Sequence, residues 1–319
     1  LAHLSYVVGS AGHAAVIDPR RDVDVYIETA RNHGCRIGHV FETHRNEDLV
    51  SGSGILADAT GATVFHGPNA AGDVAYARTA REGDSFAIGK AQLSVLETPG
   101  HTDDSLSFVL TDPAFGDDPV AVFTGDALFI GDVGRTDFYP DRAREVAGLL
   151  FDSLNKIVSL GDQAVVYPAH GAGSVCGSGM ADRELSTVGY ERRNNPRLRI
   201  GDREAFIEAK LAEHHDLPPY FSTMESLNLQ GAAPMRAPAA LAPLGTEDMK
   251  AALGDAVPID VRSAPAFLGA HLPGSLSLPV GMIAAFAGWL LDADDRLVLI
   301  ADDAVEAASA ARQLGRIGF

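Results

Sequence analysis

The sequence predicts an α/β protein made of two domains. Strand-like runs of alternating or apolar residues crowd residues 63–110, while patterns of helical spacing flank them on both sides. Helices should therefore cover both faces of the sheets. Beyond a segment rich in proline and alanine, helical and strand-like patterns alternate, which is typical of a small parallel α/β domain. We expect a first domain at residues 1–231, a linker at 232–245 and a second domain at 246–319.

Each element is predicted from its apolar spacing and from the residues that end it. Strand-like runs fall at 4–8, 14–19, 38–43, 63–67, 85–89, 92–99, 105–111, 120–128 and 164–167. Helical spacing falls at 22–31, 48–59, 141–160, 182–195 and 202–214. We expect Asp22 and Asp202 to cap helices and Gly61 to end one. In the second domain, helices should alternate with strands at 257–261, 275–279 and 297–301.

Composition and charge exclude several classes of partner. The 319 residues include 25 Lys plus Arg and 43 Asp plus Glu, and the net charge of -18 argues against nucleic acid or an anionic membrane. The longest strongly apolar run, residues 280–291, is too short to span a bilayer. Two cysteines, Cys35 and Cys176, are too few for a disulfide scaffold. We therefore expect a cytoplasmic protein. A homodimer is compatible with the sequence.

Four residues that can bind metal follow predicted strands. His44, His101, Asp126 and His170 each stand at a strand end or on the loop behind it, and three of them follow small residues or proline. A side chain at the carboxyl end of a strand points into the crevice between elements. One such histidine would more often be solvated or a cap, but four together favour a metal site. Asp18, at another strand end, either supports this site or serves as a turn residue.

The stretch THRNEDL at residues 43–49 resembles the T-H-x-H-x-D-H motif of the metallo-β-lactamase superfamily, and the resemblance covers Leu4 to Asn228. It implies an αββα sandwich. Thr43, His44 and Asp48 match the motif, whereas Asn46 and Leu49 stand where it has histidine. Asparagine is a poor zinc ligand and leucine cannot bind a metal at all. A dinuclear hydrolase centre is therefore disfavoured.

The remaining set of His44, His101 and Asp126 offers two imidazoles and one carboxylate, a combination that suits non-haem Fe(II). The stretch GDVGRTDF at residues 131–138 resembles the GRTDF signature of the persulfide dioxygenase branch of the superfamily. That resemblance implies that these three residues hold one Fe(II). It also implies that the enzyme oxidises a glutathione-type persulfide with O2 to sulfite and thiol, which makes it an iron-dependent sulfur dioxygenase.

The same resemblance implies supporting roles for residues around the ion. We expect hydrogen bonds to the ligands, to bound water or to substrate from Asn46, Asp48, Arg135, Asp137 and His170. Arg135 and a basic cluster that includes Arg192 and Arg193 could bind the carboxylates of the thiol carrier, although solvated helix surface also explains the cluster. Cys176 is interpreted either as a redox or sulfur-accepting thiol or as a small buried residue.

Residues 259–279 resemble a rhodanese domain, whose D-V-R and G-H-I-P-G-A stretches are matched by Asp260, Val261, Arg262, His271, Pro273 and Gly274. Rhodaneses carry sulfur on a cysteine that follows a central strand. In this chain Ala301 stands at that position, and acidic residues follow it. The resemblance therefore implies a rhodanese-like fold that has lost sulfur transfer and serves a structural or docking role.

The sequence is also compatible with two other functions. A mononuclear zinc thioester hydrolase of the glyoxalase II type would use the same fold with zinc instead of iron. A non-catalytic scaffold for sulfur metabolism would explain the losses at Asn46, Leu49 and Ala301 together. The metal content of the protein separates these alternatives from the dioxygenase.

Overall fold

The computed structural model describes residues 2–68, 72, 74–177, 179–235 and 241–319. Within these residues two β-sheets face each other, helices cover their outer faces, and a smaller parallel sheet follows. The predicted α/β class, an αββα sandwich followed by a small parallel α/β unit, is confirmed. The predicted linker at 232–245 lies partly outside the described residues, and the domain boundaries stay a prediction.

The first sheet contains five strands in the order β1-β2-β3-β4-β5, namely Tyr6–Ser10, His13–Ile17, Arg36–Phe41, Thr63–His66 and Arg78–Thr79. β1 and β2 form the predicted antiparallel hairpin, and β2 to β5 run parallel. Helices α1 (Asp24–Asn32) and α2 (Ser53–Thr60) belong to one apolar cluster with the outer face of this sheet. Their side chains withdraw apolar surface from water, which is the main term that holds the layer together.

The second sheet contains six strands in the order β11-β10-β9-β8-β7-β6. In chain order their bounds are β6 (Ser85–Ile88), β7 (Ala91–Glu97), β8 (Leu106–Thr111), β9 (Pro119–Gly125), β10 (Val165–Pro168) and β11 (Ser186–Thr187). Helices α3 (Ala143–Val158), α4 (Val188–Asn194) and α5 (Arg203–Leu211) follow along this half. Leu150, Leu154 and Ile157 of α3 are buried in one cluster with Val122 and Val166 of the sheet, as the helical spacing predicts.

The central core lies between the two sheets. Phe41 of β3, Phe108 of β8 and Phe123 of β9 are buried there, and the rings of Phe41 and Phe108 lie 4.9 Å apart between centroids. β7, β9 and β10 run in one direction, because β7 and β9 are both antiparallel to β8 and β10 is parallel to β9. Their carboxyl ends therefore meet at one edge of the sandwich.

Several predicted elements have different bounds in the structure. The helix predicted at 48–59 begins only at Ser53, because residues 43–52 form a loop whose polar side chains are buried. Asp22 does not cap α1, whose N-cap is Val23; it pairs instead with Arg20 and Arg316. The helix predicted at 182–195 is shortened to α4, preceded by β11. Gly61 ends α2 in the left-handed conformation, as predicted.

One helix, α6 (Phe221–Gln230), is absent from the sequence prediction. The C-terminal unit contains α7 (Thr246–Ala252), α8 (Ala264–Gly269), α9 (Ile283–Leu290) and α10 (Ala304–Arg316) around strands β12 (Val257–Asp260), β13 (Leu276–Ser277) and β14 (Leu297–Ile300). These strands are parallel in the order β13-β12-β14. Among the described residues, no helix combines the length and apolar character needed to cross a membrane.

Candidate metal centre

His44, His101 and Asp126 converge at the shared edge of the sandwich, and all three are buried. Asp126 Oδ2 lies 3.7 Å from His44 Nε2 and 3.4 Å from His101 Nε2. An ion bonded at roughly 2.0–2.2 Å holds neighbouring ligand atoms roughly 3.0–3.5 Å apart. Neither Nε2 atom has a hydrogen-bond partner among the described residues. Two buried imidazole nitrogens therefore face a carboxylate oxygen without a hydrogen bond joining them, and this arrangement fits a metal ion bound between the three atoms.

Hydrogen bonds on the far side of each imidazole select the tautomer that can bind metal. His44 Nδ1 donates to Thr43 Oγ1 at 2.9 Å, because that hydroxyl itself donates to Asp18 Oδ2 at 2.8 Å. His101 Nδ1 donates to the carbonyl oxygen of Arg135 at 2.9 Å. Each ring therefore keeps its proton on Nδ1 and presents the Nε2 lone pair to the site. Burial lowers the pKa of His101 to about 4, so this ring is neutral at physiological pH.

Asp18 supports the loop that carries His44. Its carboxylate accepts hydrogen bonds from both the backbone N and the Oγ1 of Thr43 at 2.8 Å, and burial raises its pKa to about 6. Asp18 adopts a φ of 50°, which is unfavourable for a residue other than glycine. Gly125, with a φ of 53°, lies against Thr43, and a Cβ there would approach Thr43 Oγ1 to 2.7 Å. A glycine is therefore needed where the two strand ends meet.

His170 lies between two carboxylates. Its Nδ1 donates to Asp126 Oδ1 at 2.7 Å, and its Nε2 lies 3.0 Å from Asp48 Oδ2. Burial alone would lower the pKa of His170, but the carboxylates of Asp126 and Asp48 outweigh burial and raise that pKa well above its ordinary value. Asp126 Oδ2 faces His44 and His101 and also lies 3.0 Å from His170 Nδ1, whereas Oδ1 makes the shorter contact with His170. His170 therefore contacts Asp126, while its role as a partner of a metal ligand stays a prediction.

Cys176 is buried beside this pair, on the loop that follows β10. Burial raises the pKa of its thiol well above the ordinary value, which leaves the free side chain a neutral thiol. A neutral buried thiol is a weak nucleophile. In the structure as described, the environment of Cys176 is that of a buried residue and not of an exposed redox thiol.

Asn46 and Glu47 lie next to His44 in the loop, and both are buried. Asn46 Oδ1 has no partner among the described residues. Both carboxylate oxygens of Glu47 are also unpartnered there, and its Oε2 lies 3.9 Å from His101 Nε2. Burial raises the pKa of Glu47 well above its ordinary value. The sequence prediction missed Glu47 because it occupies a variable position of the motif.

The GRTDF stretch supports the second histidine. Arg135 is buried and donates from Nε and Nη2 to the carboxylate of Asp137 at 2.7 and 2.6 Å. Its Nη1 donates to the carbonyl oxygens of Val175 and Asp216 at 3.3 and 3.1 Å. Because its own carbonyl accepts from His101, Arg135 connects a ligand to the loop after β10. Its guanidinium is therefore engaged by protein groups.

Arg192 and Arg193 are not brought to the site. Both are exposed and pair with Asp162, at 2.8 and 3.1 Å. Asp162 precedes β10 whereas His170 follows it, so these arginines lie at the opposite end of that strand. Helical spacing could not reveal this, because it gives the face of a helix but not the end of the sheet on which the helix lies.

A second buried polar network underlies the loop. His66, which ends β4, lies 2.7 Å from both Glu42 Oε2 and Asp104 Oδ2. Burial would lower the pKa of His66, but its two carboxylate partners raise it to about 10, so the imidazole is charged at neutral pH. Asp104 also accepts from the backbone N of Arg45 at 3.0 Å. The sequence prediction missed this network because its members lie far apart along the chain.

Asn228, in the unpredicted helix α6, fixes the loop from its other side. Its side-chain nitrogen donates to the carbonyl oxygens of Asn46 and Leu49 at 2.7 and 2.8 Å. Its side-chain oxygen accepts from the backbone N of Ser51 at 2.8 Å. These bonds satisfy backbone groups that a helix over the same residues would have paired internally. The loop conformation therefore depends on a residue about 180 positions away.

Comparisons with known proteins agree with this geometry. A sequence model described as "Metallo-beta-lactamase superfamily" matches residues 1–170. Mitochondrial persulfide dioxygenase ETHE1 of Mus musculus is 31% identical over 225 residues, which cover 67% of this chain and 77% of that protein. Hydroxyacylglutathione hydrolase of Rhodospirillum rubrum is 33% identical over 165 residues, covering 50% of this chain and 58% of that protein.

Solved structures extend the likeness to both units. The crystal structure of a metallo-beta-lactamase from Staphylococcus aureus subsp. aureus COL superposes with a TM-score of 0.88 at 30% identity, covering 100% of this chain and 93% of that one. ETHE1 from Myxococcus xanthus gives a TM-score of 0.60 at 32% identity, covering 71% of this chain and 93% of that one. On its matched residues, its sandwich and its group of metal-binding side chains, the chain belongs to the metallo-beta-lactamase superfamily.

Proposed function

We propose that this protein is an iron-dependent persulfide dioxygenase, which uses O2 and water to oxidise a low-molecular-weight thiol persulfide of the glutathione type to sulfite and thiol. The observation that carries the proposal is the convergence of His44 Nε2, His101 Nε2 and Asp126 Oδ2, with no other partner on either nitrogen among the described residues. The relatives named ETHE1 in Mus musculus and Myxococcus xanthus support the choice of reaction.

The ligand set favours one ion of the iron type. Two imidazoles and one carboxylate occupy one face of an octahedral ion and leave three positions open. Asn46 and Leu49 replace two histidines of the family motif, so the usual pair of ions has lost ligands on both sides. Ferrous iron, when bound, would activate dioxygen and provide a coordination position for the persulfide sulfur.

The residues of this chain orient the ligands of that ion and hold protons at defined atoms around it. The Thr43–Asp18 pair and the Arg135 carbonyl hold the two rings with their protons on Nδ1. His170 fixes Asp126 by a hydrogen bond from Nδ1 that is shorter to Oδ1, at 2.7 Å, than to Oδ2, at 3.0 Å. Burial raises the pKa of Glu47 well above its ordinary value, and its carboxyl group lies near His101, where the protonated form can donate a hydrogen bond to a sulfur or oxygen atom.

A zinc-dependent thioester hydrolase of the glyoxalase II type is the second candidate. The hydroxyacylglutathione hydrolase of Rhodospirillum rubrum, at 33% identity, supports it as strongly in identity as the dioxygenase relatives support the first. The loss of the motif histidines at Asn46 and Leu49 disfavours a dinuclear zinc hydrolase, so this candidate would use a single zinc ion at His44, His101 and Asp126.

One experiment separates the candidates. Protein purified without oxygen is loaded with Fe(II) or with Zn(II), and each form receives glutathione persulfide with dissolved oxygen or a glutathione thioester. We expect oxygen consumption and sulfite only from the iron form, and loss of both in Asp126→Ala. Thioester cleavage by the zinc form without oxygen consumption by the iron form would support the hydrolase. A chain that retains neither metal would support a non-catalytic scaffold.

For the C-terminal unit we propose a rhodanese-like domain without sulfur transfer, which serves as a structural or docking module. Arg262 donates from Nε and Nη2 to the carboxylate of Asp260 at 2.9 and 2.6 Å, so the two charged residues of the D-V-R stretch form one pair. Ala301 follows the edge strand β14 where a rhodanese has its cysteine. The proposal predicts no thiosulfate-to-cyanide sulfur transfer by the chain, which a colorimetric thiocyanate assay would check.

A further inference from the structure

A cavity of about 290 Å³ lies between the loop after β3 and the C-terminal unit. Asp48, Leu49 and Val50 of the loop line part of its wall, and Arg312 and Arg316 of α10 line another part. Sites for small molecules usually have volumes of roughly 300–1,000 Å³. At the lower end of that range, this cavity suits a small ligand or one end of a longer one, and both units of the chain build it.

Helix α10 presents a polar face to this cavity. Four of its residues line the wall at a spacing of three or four positions, namely Ser309, Arg312, Gln313 and Arg316. Residues with this spacing lie on one side of a helix. Ala310 and Leu314, on another side of α10, are buried in the core of the C-terminal unit. The polar groups on the cavity side are therefore not used by that core.

The lining is basic although the chain as a whole is acidic. Arg20 joins Arg312 and Arg316 on the wall, and among the described lining residues Asp48 is the only acid. The whole chain carries a net charge of -18, so a wall with three guanidiniums differs in sign from the average of the chain. A concave surface that is lined by one sign of charge raises the local concentration of ions of the opposite sign. The cavity therefore favours an anion.

Two of the three guanidiniums keep donors for a ligand. Arg316 donates from Nε and Nη2 to the two carboxylate oxygens of Asp22, at 2.8 and 2.6 Å. Arg20 Nε lies 2.9 Å from the same carboxylate, yet it is buried and makes no hydrogen bond among the described residues. Arg312, one turn before Arg316, is exposed and has no ion-pair partner in the part of the chain that the structure describes. A guanidinium with free N–H groups can bind a carboxylate through two parallel hydrogen bonds.

His3 adds a hydrogen-bond acceptor to the same wall. Its Nε2 donates to the carbonyl oxygen of Asp18 at 2.8 Å, and burial lowers the pKa of the ring to about 4, so the ring is neutral and Nδ1 keeps its lone pair. That Nδ1 atom is buried and has no partner among the described residues. A ligand that combines a carboxylate with an N–H group would satisfy both His3 and the guanidiniums. The terminal residue of a peptide has this combination.

The cavity adjoins the metal centre. Asp48, on its wall, lies 3.0 Å from His170 Nε2, and His170 Nδ1 donates to Asp126 Oδ1 at 2.7 Å. Arg192 and Arg193, the basic pair suggested by the sequence, lie instead at the other end of β10. Basic side chains near the centre are therefore supplied in part by the C-terminal unit.

We propose that this cavity is an oxyanion site, in which Arg312 and Arg20 bind the terminal carboxylate of the peptide thiol that carries the persulfide. A free oxyanion such as sulfite offers the guanidiniums the same chemistry. Only the choice of the carrier over a free oxyanion rests on the proposed dioxygenase function. The C-terminal unit then contributes a binding residue in addition to its structural or docking role.

Calorimetric titration of the full chain with S-methylglutathione tests the site without turnover. This probe keeps the carboxylates and the amide N–H groups of glutathione, whereas methylation makes its sulfur a weak metal ligand. Arg312→Ala should weaken its binding roughly 10- to 100-fold, and Arg312→Lys should recover part of the loss because it restores the charge but not the planar fork. The matched control is Arg296→Ala, since Arg296 is exposed, belongs to the same unit and pairs with Asp255, and its loss removes the same charge.

Sulfite is the second probe and separates the two sources of oxyanion. Binding of sulfite but not of S-methylglutathione, lost in Arg312→Ala, would support the oxyanion site and assign it to a free ion. With glutathione persulfide as substrate, the carrier assignment predicts that Arg312→Ala raises KM roughly 10-fold or more and leaves kcat unchanged. An unchanged KM would overturn that assignment. A chain without dioxygenase activity would leave the binding results standing, so failure of the proposed function is distinguishable from failure of the site.

Labelling with phenylglyoxal tests the site in the wild type if Arg312→Ala does not fold, as judged by circular dichroism. The reagent modifies accessible guanidiniums, and bound S-methylglutathione or sulfite should slow the modification of Arg312 but not that of Arg296, as read by peptide mass spectrometry. Equal affinities in Arg312→Ala and Arg296→Ala, no binding of either probe at millimolar concentration, or equal labelling of Arg312 with and without the probes would each overturn the proposal.

Discussion

Two loops of this chain follow the carboxyl end of a parallel strand and lead into a helix, yet only one is built like a metal site. The loop after β3, residues 43–52, buries its polar side chains. The loop after β14, residues 301–303, begins with Ala301 and exposes its acidic residues. Position at a strand end is therefore not sufficient for a site. The loops differ because the first one buries nitrogen and oxygen atoms that have no hydrogen-bond partner among the described residues, whereas the second exposes its acidic side chains.

Backbone hydrogen bonding shows the same contrast. At the second loop, Asp303 caps α10 by accepting from the backbone N atoms of Val305 and Glu306, both at 2.8 Å. The amides that would stabilise an anion at this helix end are thus already used. At the first loop, side chains from α6 and from the His66 network bind the backbone and leave the metal-facing atoms free. The first loop also touches the C-terminal end of α10, since Val50 N donates to Arg316 O at 3.2 Å.

The largest expected effect is on metal affinity at the site that His44 of the first loop shares with Asp126, which follows β9. Asp126→Ala removes the oxygen shared by both histidines, and we expect metal affinity at this site to fall by more than about 100-fold, beyond the 10–100-fold cost of losing an outer hydrogen-bond partner. Asp303→Ala in the second loop is the matched control and should leave affinity unchanged. Competition with a chromogenic chelator measures both. Equal affinities in the two variants would remove the distinction between the loops.

The next largest effect is expected on stability. His66→Leu leaves the carboxylates of Glu42 and Asp104 buried without their cation, and breaking a buried charge network in this way costs about 3–5 kcal/mol of the free energy of unfolding. The exposed pair of Lys250 and Glu247 in the C-terminal unit is the comparison, and Lys250→Ala should cost less than about 1 kcal/mol. Urea unfolding curves give both values. Similar losses in the two variants would contradict the account.

The pH dependence of unfolding follows from the same network. The pKa of His66 is raised from 6.5 to about 10 in the folded chain, so the folded state holds this proton more tightly than the unfolded state does. Its stabilising contribution is complete below pH 6.5 and is lost as pH rises toward about 10. The wild-type free energy of unfolding should therefore fall across this window more steeply than that of His66→Leu. Parallel pH profiles would show that His66 is not charged.

A smaller effect is expected from the hydrogen bond behind His44. Thr43→Val keeps the shape of the side chain but removes the hydroxyl between His44 Nδ1 and Asp18. The imidazole then loses the partner that fixes its tautomer, and metal affinity should fall about 10–100-fold. The measurement is the same chelator competition, with Thr246→Val at the start of α7 as control. An unchanged affinity in Thr43→Val would show that Asp18 serves only the backbone.

The smallest change is expected where the second loop is given a nucleophile. Ala301→Cys restores the residue type of a rhodanese, but Asp303 occupies the helix amides and Asp302 adds negative charge nearby. The thiol pKa should therefore stay at or above about 8.5, the ordinary value for a free cysteine. The rate of alkylation by iodoacetamide as a function of pH reports this pKa. A thiolate already formed at neutral pH would show that the loop alone can build a reactive site.

Strand-end residues were predictable from the sequence, and their partners were not. Apolar runs mark where β3, β7, β9 and β10 end, and parallel strands bring those ends to one edge. The helical spacing predicts that α2 begins at Asp48, whereas it begins at Ser53. Periodicity carries no information about distant side chains that hold residues 43–52 as a loop. Asn228, Glu42 and Asp104 act through contacts between segments far apart in the chain, which a local pattern cannot encode.

The central claim is that one ion sits between His44, His101 and Asp126 with open coordination positions. Nitric oxide added to the anaerobic, iron-loaded chain tests it directly, because a mononuclear ferrous site with an open position gives the paramagnetic signal of a high-spin iron nitrosyl. We predict one such spin per chain in the wild type and none in Asp126→Ala. A spin-coupled iron pair, or a signal that survives in Asp126→Ala, would contradict the account.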